Sequence, residues 1–286
     1  MTIEKIAIIT DSTNNLPAEF ISQYQIKVVP LTIVIGSQSY LDGVDIHPKE
    51  FYQRLIVEKN HPTTSQPAPG DFLAAYQNAK DDGAEQIVVL TISSAMSGTM
   101  ESARMAAKNI DIPVTIIDSK SNTMGLGWQV LACARARETG ASVNEMVTIV
   151  DNVRENLHLH VLLDTLEFLF KGGRIAGAAK LVNNVLKIKP QIRVNHVTGS
   201  VEAVDISRTR AKAIESLYST FIKKLDLTKP LRIAILHNDA LDDAKALAEK
   251  IVSELKPIEL IIALTSPVLG VHTGPNAIAL SGYSEN

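Results

Sequence analysis

Loops rich in hydroxyl-bearing residues follow the apolar segments of this 286-residue sequence. The stretch "TISSAMSGT" (91–99) comes directly after the apolar run "QIVVL", and "DSTNN" and "DSKSNTMGLG" each follow another such run. A further stretch, "HPTTSQPAPGDF", places Thr63, Thr64 and Ser65 ahead of a helix-like segment. Single hydroxyls at such junctions often cap helices, but a set of them also offers donors to a polar ligand, or one nucleophile. The sequence therefore leaves two kinds of site open, one that binds and one that reacts.

A reacting site of this composition would be a serine esterase. Its nucleophile, base and orienting carboxylate would be Ser97, His272 and Asp118, the set that an acyl-transfer triad requires. The sequence around Ser97, "AMSGT", lacks the first glycine of the G-x-S-x-G turn on which many such serines sit. We therefore expect a binding site and keep the esterase as the alternative.

Composition and charge exclude several classes of protein. With 28 basic and 31 acidic residues the chain carries a net charge of -3, so it has no basic field to attract nucleic acid. Its one cysteine, Cys133, precludes an intramolecular disulfide, and the sequence predicts neither a signal peptide nor stable membrane insertion. His158 and His160 share one face of a strand without an acidic partner, which argues against a metal site. We predict a cytoplasmic protein without metal or cofactor.

The pattern of apolar runs predicts an α/β fold with two domains. Continuous β-branched runs, "KIAIIT", "IKVVPLTIVI" (26–35), "QIVVL" and "PVTIID", alternate with amphipathic segments, as in an open, mainly parallel sheet flanked by helices. From about residue 160 the pattern changes to a hairpin near Thr198-Gly199-Ser200, a long helix from about Thr209 to Leu225, and a second α/β stretch with a mixed sheet. We predict domains at 1–160 and 161–286.

The hydroxyl-rich loops fall at one edge of the predicted first sheet. Ligands of open α/β sheets bind beyond the carboxyl ends of the strands, where these loops converge. His272 lies in the loop-like "LGVHTGPNAI", and Lys171 and Arg174 flank the two glycines of "FKGGRI". Arg208 and Arg210 stand at the start of the long helix, where the helix dipole does not favour a cation. The basic residues therefore indicate an anionic ligand or partner.

Eight motifs together resemble the DegV family of bacterial fatty-acid-binding proteins. In chain order they are "IITDSTNNLP", "TTSQPAPGDF", "ISSAMSGTMESA", "IIDSKSNTMGLG", "LEFLFKGGRI", "LKIKPQI", "SRTRAKAI" and "HTGPNAI". The resemblance implies that a long-chain fatty acid lies in a tunnel between two α/β-type domains. It further implies a carrier that is not itself an enzyme. This carrier presents the carboxyl group to a separate ATP-binding kinase subunit, and acyltransferases downstream use the acyl phosphate for phospholipid synthesis.

The resemblance also assigns roles to residues of this sequence. Thr64 and Ser97 would hold the carboxyl group, while Arg208 and His272 would lie near it and meet the incoming phosphate. Arg174, with Lys171 beside it, would dock the kinase. The full set implied for ligand binding is Thr64, Ser65, Ser94, Ser97, Gly98, Arg208 and His272.

Three positions depart from the family pattern. Met96 stands where leucine is common, "NHVTGS" replaces the usual Asp-Gly hairpin turn, and Asn276 replaces the glycine expected after "HTGP". The last departure matters most, because it lies in the loop that holds His272.

Overall fold

A computed structural model describes residues 5–58, 60–174 and 188–285. The strands of these residues are β1 (Ile6–Asp11), β2 (Lys27–Val29), β3 (Thr32–Ile35), β4 (Gln38–Leu41), β5 (Thr63–Ser65), β6 (Gln86–Thr91), β7 (Val114–Asp118), β8 (His158–Leu162), β9 (Lys189–Val194), β10 (Val201–Ser207), β11 (Leu231–His237), β12 (Glu259–Leu264) and β13 (Ile278–Ser284). The helices are α1 (Ala18–Gln23), α2 (Pro48–Val57), α3 (Pro69–Asp81), α4 (Thr99–Ala107), α5 (Thr123–Glu138), α6 (Val143–Asn156), α7 (Glu167–Lys171), α8 (Arg210–Ile222), α9 (Leu241–Leu255) and α10 (Pro267–Thr273), with a short 3-10 turn at Ser12–Asn14.

The first sheet is parallel, as the apolar runs predict. Its strand order is β2-β1-β6-β7, and all three pairings are parallel. The predicted continuous strand at 26–35 is wrong: it divides at Pro30 into β2 and β3, which belong to different sheets. Proline has no N–H to donate to a sheet and fixes its own φ, so it ends β2 at the edge of the first sheet.

The second sheet is mixed, which confirms the predicted architecture. Its order is β10-β9-β8-β13-β11-β12; only β11 and β12 are parallel among its described pairings. The predicted hairpin is confirmed, with Gly199 at φ +71 in the turn between β9 and β10. The domain boundary predicted at residue 160 falls inside β8, a strand of the second sheet, and the division into two domains stays a prediction.

A small antiparallel sheet, β4-β3-β5, lies beside the first sheet. Its strand β5 contains Thr63, Thr64 and Ser65, so the loop predicted for these residues is wrong. Thr64 pairs with Ile33, about thirty positions away. Because this pairing is non-local, the polar and proline-rich local sequence does not reveal it. The apolar faces of α2 and α10 pack on this sheet.

Helices α5 and α6 lie between the two large sheets. One side of this pair packs on the first sheet through Leu126 and Val130, and the other packs on the second sheet through Trp128 and Leu131. Helices α3 and α4 cover the outer face of the first sheet, and α8 and α9 cover the outer face of the second. Nearly every residue of α5 is therefore buried, which explains why its sequence is apolar on all sides. Among the described helices, none is long and apolar enough to cross a membrane.

Candidate ligand cavity

A cavity lies between the two large sheets, at the carboxyl edge of the first one. Its enclosed volume is about 90 Å³, and the space between its wall residues, counted with the open mouth, is about 920 Å³. One part of its wall is apolar and is formed by strands of the second sheet together with α7 and α10: Val161, Leu169, Ile192, Val194, Val201, Leu236, Val268, Leu269, Ala277, Ile278 and Ala279. The other part is polar and includes Thr13, Thr64, Ser65, Gln66, Ser97, Asn122, Thr123, Asn238, Thr265, His272 and Thr273.

Thr64 and His272 meet at the polar end of this cavity. The Thr64 Oγ1 and His272 Nε2 atoms lie 2.9 Å apart, and both side chains are partly buried. Burial, followed by the positive charge of Arg174 and by His61, lowers the pKa of His272 to about 3. The imidazole is therefore neutral at physiological pH.

The surroundings of the second ring nitrogen, Nδ1, decide which tautomer of His272 we assign. His272 Nδ1 is buried and has no hydrogen-bond partner among the described residues. An unpaired acceptor is tolerated better than an unpaired donor in a protein interior. We therefore assign the Nε2–H tautomer, in which His272 donates to Thr64 Oγ1 and the Thr64 hydroxyl keeps its own proton for a ligand.

The glycines of "FKGGRI" make this arrangement possible. A Cβ atom on Gly172 would lie 2.1 Å from His272 Nδ1, so no other residue fits without moving the imidazole. Gly173 has φ +68, a left-handed conformation that glycine adopts readily. The sequence does not reveal that the His272 ring packs directly against Gly172.

Ser97 belongs to the same cavity wall and is held by its neighbour Thr99. Ser97 Oγ lies 2.8 Å from Thr99 Oγ1 and accepts a hydrogen bond from the Thr99 backbone N–H at 3.3 Å. When the Thr99 hydroxyl also donates, the Ser97 proton is free for a ligand. Gly98 is the N-cap residue of α4 and lies outside the cavity lining. A Cβ atom at this position would lie 2.2 Å from Gln66 Oε1, so the close packing of the Gln66 side chain favours glycine.

The other residues singled out in the sequence lie at or beyond the mouth of the cavity. Ser65 and Arg174 line it, and Arg174 is exposed. Lys171 is exposed and forms an ion pair with Glu167 at 2.6 Å. Arg208 is exposed, lies outside the lining, and makes no hydrogen bond or ion pair within residues 5–58, 60–174 and 188–285.

Two further candidates have partners within the protein. Ser94 is exposed, and its Oγ donates to Asp118 at 2.5 Å. Arg210 contacts Asp243 at 2.6 Å and the carbonyl of Asn276 at 2.9 Å. Internal partners therefore account for Nε and Nη1 of Arg210, while its Nη2 is buried without a hydrogen-bond partner among the described residues.

The esterase triad is not assembled. Ser97 Oγ is hydrogen-bonded to Thr99, while His272 Nε2 is hydrogen-bonded to Thr64. Asp118 binds Ser94 and Lys120, whereas a triad carboxylate would bind His272 Nδ1. Within the described residues, His272 Nδ1 has no such partner.

The loop that carries His272 is held by Asn238, a residue that the sequence motifs do not single out. Its side-chain amide donates to Thr273 Oγ1 at 2.8 Å and to the Gly274 carbonyl at 2.6 Å.

Asn276, which stands where the family pattern has glycine, has φ +59. Asparagine tolerates this conformation better than most residues other than glycine, so the substitution preserves the loop.

Asp42, in the first half of the chain, contacts the start of α10, the helix that carries His272. It is not among the candidate residues that the sequence predicts. It is buried, accepts from Ser12 Oγ at 2.7 Å, and accepts from the backbone N–H of Val268 at 3.4 Å, in the first turn of α10. Burial, together with the charge of nearby Asp11, raises the pKa of Asp42 to about 7, against the effect of these hydrogen bonds. In the sequence Asp42 is the third residue of "YLDG" and resembles an ordinary turn aspartate, so no local signal reveals it.

Known proteins similar to this chain include curated relatives and solved structures. The family model described as "uncharacterised protein, DegV family" matches residues 5–285. A DegV domain-containing protein of Staphylococcus aureus is 35% identical over 277 residues, which cover 96% of this chain and 98% of the relative.

The solved structures share the whole fold. A DegV family protein from Thermus thermophilus, described for its fatty acid binding, has 32% sequence identity and a TM-score of 0.92, and the match covers 98% of this chain and 100% of that one. A stearic-acid-binding protein from Eubacterium ventriosum has 26% identity and a TM-score of 0.90, with 98% of each chain covered. From the family match along residues 5–285 and the relative at 35% identity, we conclude that the chain belongs to the DegV family.

Proposed function

We propose that this protein binds a long-chain fatty acid in the cavity and presents its carboxyl group to a separate ATP-dependent kinase for acyl-phosphate formation. The observation that carries the proposal is the division of the cavity wall into a hydroxyl-rich end, with Thr64 and Ser97, and an apolar remainder. A ligand with one small polar group and a long apolar tail matches this division. Fatty acid binding by the DegV family protein of Thermus thermophilus, and stearic acid binding by the protein of Eubacterium ventriosum, support it.

The carboxylate is held by neutral donors in this proposal. In the tautomer assigned above, the hydroxyl protons of Thr64 and Ser97 are both available to it. Hydrogen bonds from neutral hydroxyls leave the carboxylate charged. A bidentate arginine, in contrast, would form hydrogen bonds to both carboxylate oxygens at once. One carboxylate oxygen thus stays available to attack the γ-phosphorus of ATP, whose bond to the bridging oxygen breaks as ADP leaves.

The apolar wall supplies most of the binding free energy. Burial of a methylene contributes about 0.8 kcal/mol, so a long acyl chain contributes on the order of 10 kcal/mol before the costs of ordering. A ligand of this kind exchanges slowly. We expect it to remain with the protein during purification.

The kinase would meet the carboxyl group at the mouth of the cavity. Arg174 lines this mouth and is exposed, and its Nη1 donates to the Gly172 carbonyl at 2.8 Å, which fixes the backbone beside His272. The neutral His272 ring donates its Nε2–H to Thr64 Oγ1 in the assigned tautomer, so its part in this proposal is to orient the Thr64 hydroxyl towards the carboxylate. Arg208 and Lys171 are exposed cations that extend this surface.

Two experiments test the proposal in its two parts. Extraction of the purified protein with organic solvent, followed by mass spectrometry, should release about one fatty acid per chain. A protein that stays empty after incubation with stearate would contradict the binding role. Incubation of the loaded protein with a bacterial fatty acid kinase subunit and ATP, with hydroxylamine to trap acyl phosphate, should yield a hydroxamate; binding without hydroxamate would contradict the presenting role alone.

A further inference from the structure

Thr123 differs from the other hydroxyl residues of the cavity wall in one respect. It lines the cavity, its side chain is 5% exposed, and its Oγ1 is buried without a hydrogen-bond partner among the described residues. The hydroxyls of Thr64 and Ser97, by contrast, are each within hydrogen-bond distance of a neighbouring side chain. A buried hydroxyl without a partner is unfavourable, so its presence in a ligand cavity calls for a polar group of the ligand.

The backbone around Thr123 adds to this polarity. Thr123 is the first residue of α5, a helix of sixteen residues, and no side chain of the described residues caps its N-terminus. The Asn122 side chain, which stands at the N-cap position, instead directs its amide to the Met96 sulfur at 3.4 Å. The first backbone N–H groups of a helix carry partial positive charge and attract oxygen atoms of ligands.

Thr123 belongs to the same cavity as the proposed carboxyl site but to a different segment of the chain. Thr64 is on β5 of the small sheet, Ser97 is in the loop after β6, and Thr123 begins α5 after β7. If Thr64 and Ser97 hold the carboxylate, the Thr123 hydroxyl still lacks a partner among the described residues. A second oxygen on the ligand would give Thr123 a partner.

We propose that Thr123 and the N-terminus of α5 form a second polar subsite, which binds a hydroxyl or keto oxygen carried by the acyl chain of the bound fatty acid. The inference rests on the proposed function, because it takes the carboxyl group to lie at Thr64 and Ser97. Thr123 can donate to the oxygen or accept from a hydroxyl, and the helix amides can only donate. The preferred ligand is then an oxygenated fatty acid whose substituent reaches Thr123.

Positional isomers of hydroxystearic acid test this subsite. All isomers have the same composition, so differences in affinity among them report where the cavity has a partner for the hydroxyl. Competition against stearate should show one isomer, or two adjacent ones, that binds at least about fivefold more tightly than the others, the factor that one net hydrogen bond provides. Equal affinity for all isomers would overturn the proposal.

Three variants decide whether Thr123 is the partner. Thr123→Val removes the hydroxyl at nearly constant shape and should abolish the preference among isomers, while Thr123→Ser should retain it. Thr10→Val is the matched control, since Thr10 Oγ1 is likewise buried and unpartnered among the described residues but lies outside the cavity lining. A preference that survives Thr123→Val, or that Thr10→Val also abolishes, would refute the assignment.

Stearate binding separates this inference from the proposed function. If wild type and Thr123→Val both bind stearate but show no preference among isomers, the subsite is refuted and the fatty-acid-binding role stands. If no acid binds to wild type, the proposed function itself fails. Melting temperatures of the variants establish that each one is folded.

Discussion

Thr64 Oγ1 and His272 Nε2 lie 2.9 Å apart although 208 positions of sequence separate them. Thr64 is on β5, beside the first sheet. His272 is on α10, which follows strand β12 of the second sheet. The hydrogen bond therefore joins the two halves of the chain at the polar end of the cavity. A carboxylate bound there would contact residues from both halves, so that ligand binding and the packing of the halves are coupled.

Removal of the two hydroxyls at this end tests the carboxyl site. Thr64→Val with Ser97→Ala should weaken stearate binding about a hundredfold or more, because a hydrogen bond to a charged group contributes about 1.5–3 kcal/mol. Displacement of a fluorescent fatty acid measures the change. The matched control is Thr148→Val with Ser253→Ala, which removes two hydroxyls that bond only to carbonyls of their own helices. Equal affinity of the double variant and wild type would show that the carboxyl group binds elsewhere.

Local patterns predict the sheets and the convergence of the loops. The β-branched runs of β1, β6 and β7 predict a parallel sheet, and parallel strands bring their carboxyl ends to one edge. This argument places Ser97 at that edge, whereas Thr64 and His272 come into consideration through the family motifs "TTSQPAPGDF" and "HTGPNAI". It does not give the distance between Thr64 and His272, which depends on how the two halves pack.

Contacts between distant segments explain what the sequence does not reveal. The strand character of Thr64 depends on its pairing with Ile33, and the importance of Asp42 depends on Val268, which is 226 positions away. Arg210 attracts attention as a cation near a helix start, but it forms an ion pair with Asp243, which lies on another helix. Each of these residues looks ordinary or misleading until its distant partner is known.

Arg174 offers a test that separates ligand binding from presentation to the kinase. Arg174→Ala should lower acyl-phosphate formation about tenfold, as expected for loss of an arginine contact at an interface. It should lower stearate affinity much less, because the exposed side chain is not among the groups proposed to hold the carboxylate. Hydroxamate formation at saturating fatty acid measures the second effect. Arg104→Ala is the matched control, since Arg104 is also exposed and lies on α4, outside the cavity lining. Parallel loss of affinity and hydroxamate formation would contradict the docking role.

Gly172 should be sensitive to the smallest possible substitution. Gly172→Ala places a Cβ 2.1 Å from His272 Nδ1, and we expect a loss of about 1–3 kcal/mol in the free energy of unfolding, as for other overpacked sites. The displaced imidazole should gain solvent, so its pKa should rise from about 3 toward the ordinary value, which NMR titration of the ring protons measures. Gly70→Ala is the control, because its Cβ would meet nothing within 4 Å and its φ is not positive. An unchanged His272 pKa in Gly172→Ala would show that the ring does not rest on this glycine.

Asp42 should make the stability of the protein depend on pH in a defined direction. Burial and the charge of Asp11 raise the folded-state pKa of Asp42 to about 7, above the unfolded value near 3.8. The folded state therefore favours the protonated carboxyl group, and the stabilisation that this provides is present below about pH 4 and is lost as the pH rises to about 7. One pKa unit corresponds to about 1.4 kcal/mol, which limits the loss to roughly 4 kcal/mol.

The variant Asp42→Asn isolates this contribution. Asparagine stays neutral at every pH, and its amide oxygen can still accept from the Val268 N–H at the start of α10. In urea unfolding between pH 4 and 8.5, wild type should lose stability relative to Asp42→Asn as the pH rises, and the difference should level off above about pH 8. Other groups, including His272, titrate in both proteins, so subtraction of the two profiles removes their effect. A difference that does not change with pH would mean that Asp42 is ionised throughout this range, stabilised by its hydrogen bonds from Ser12 and Val268 in spite of burial.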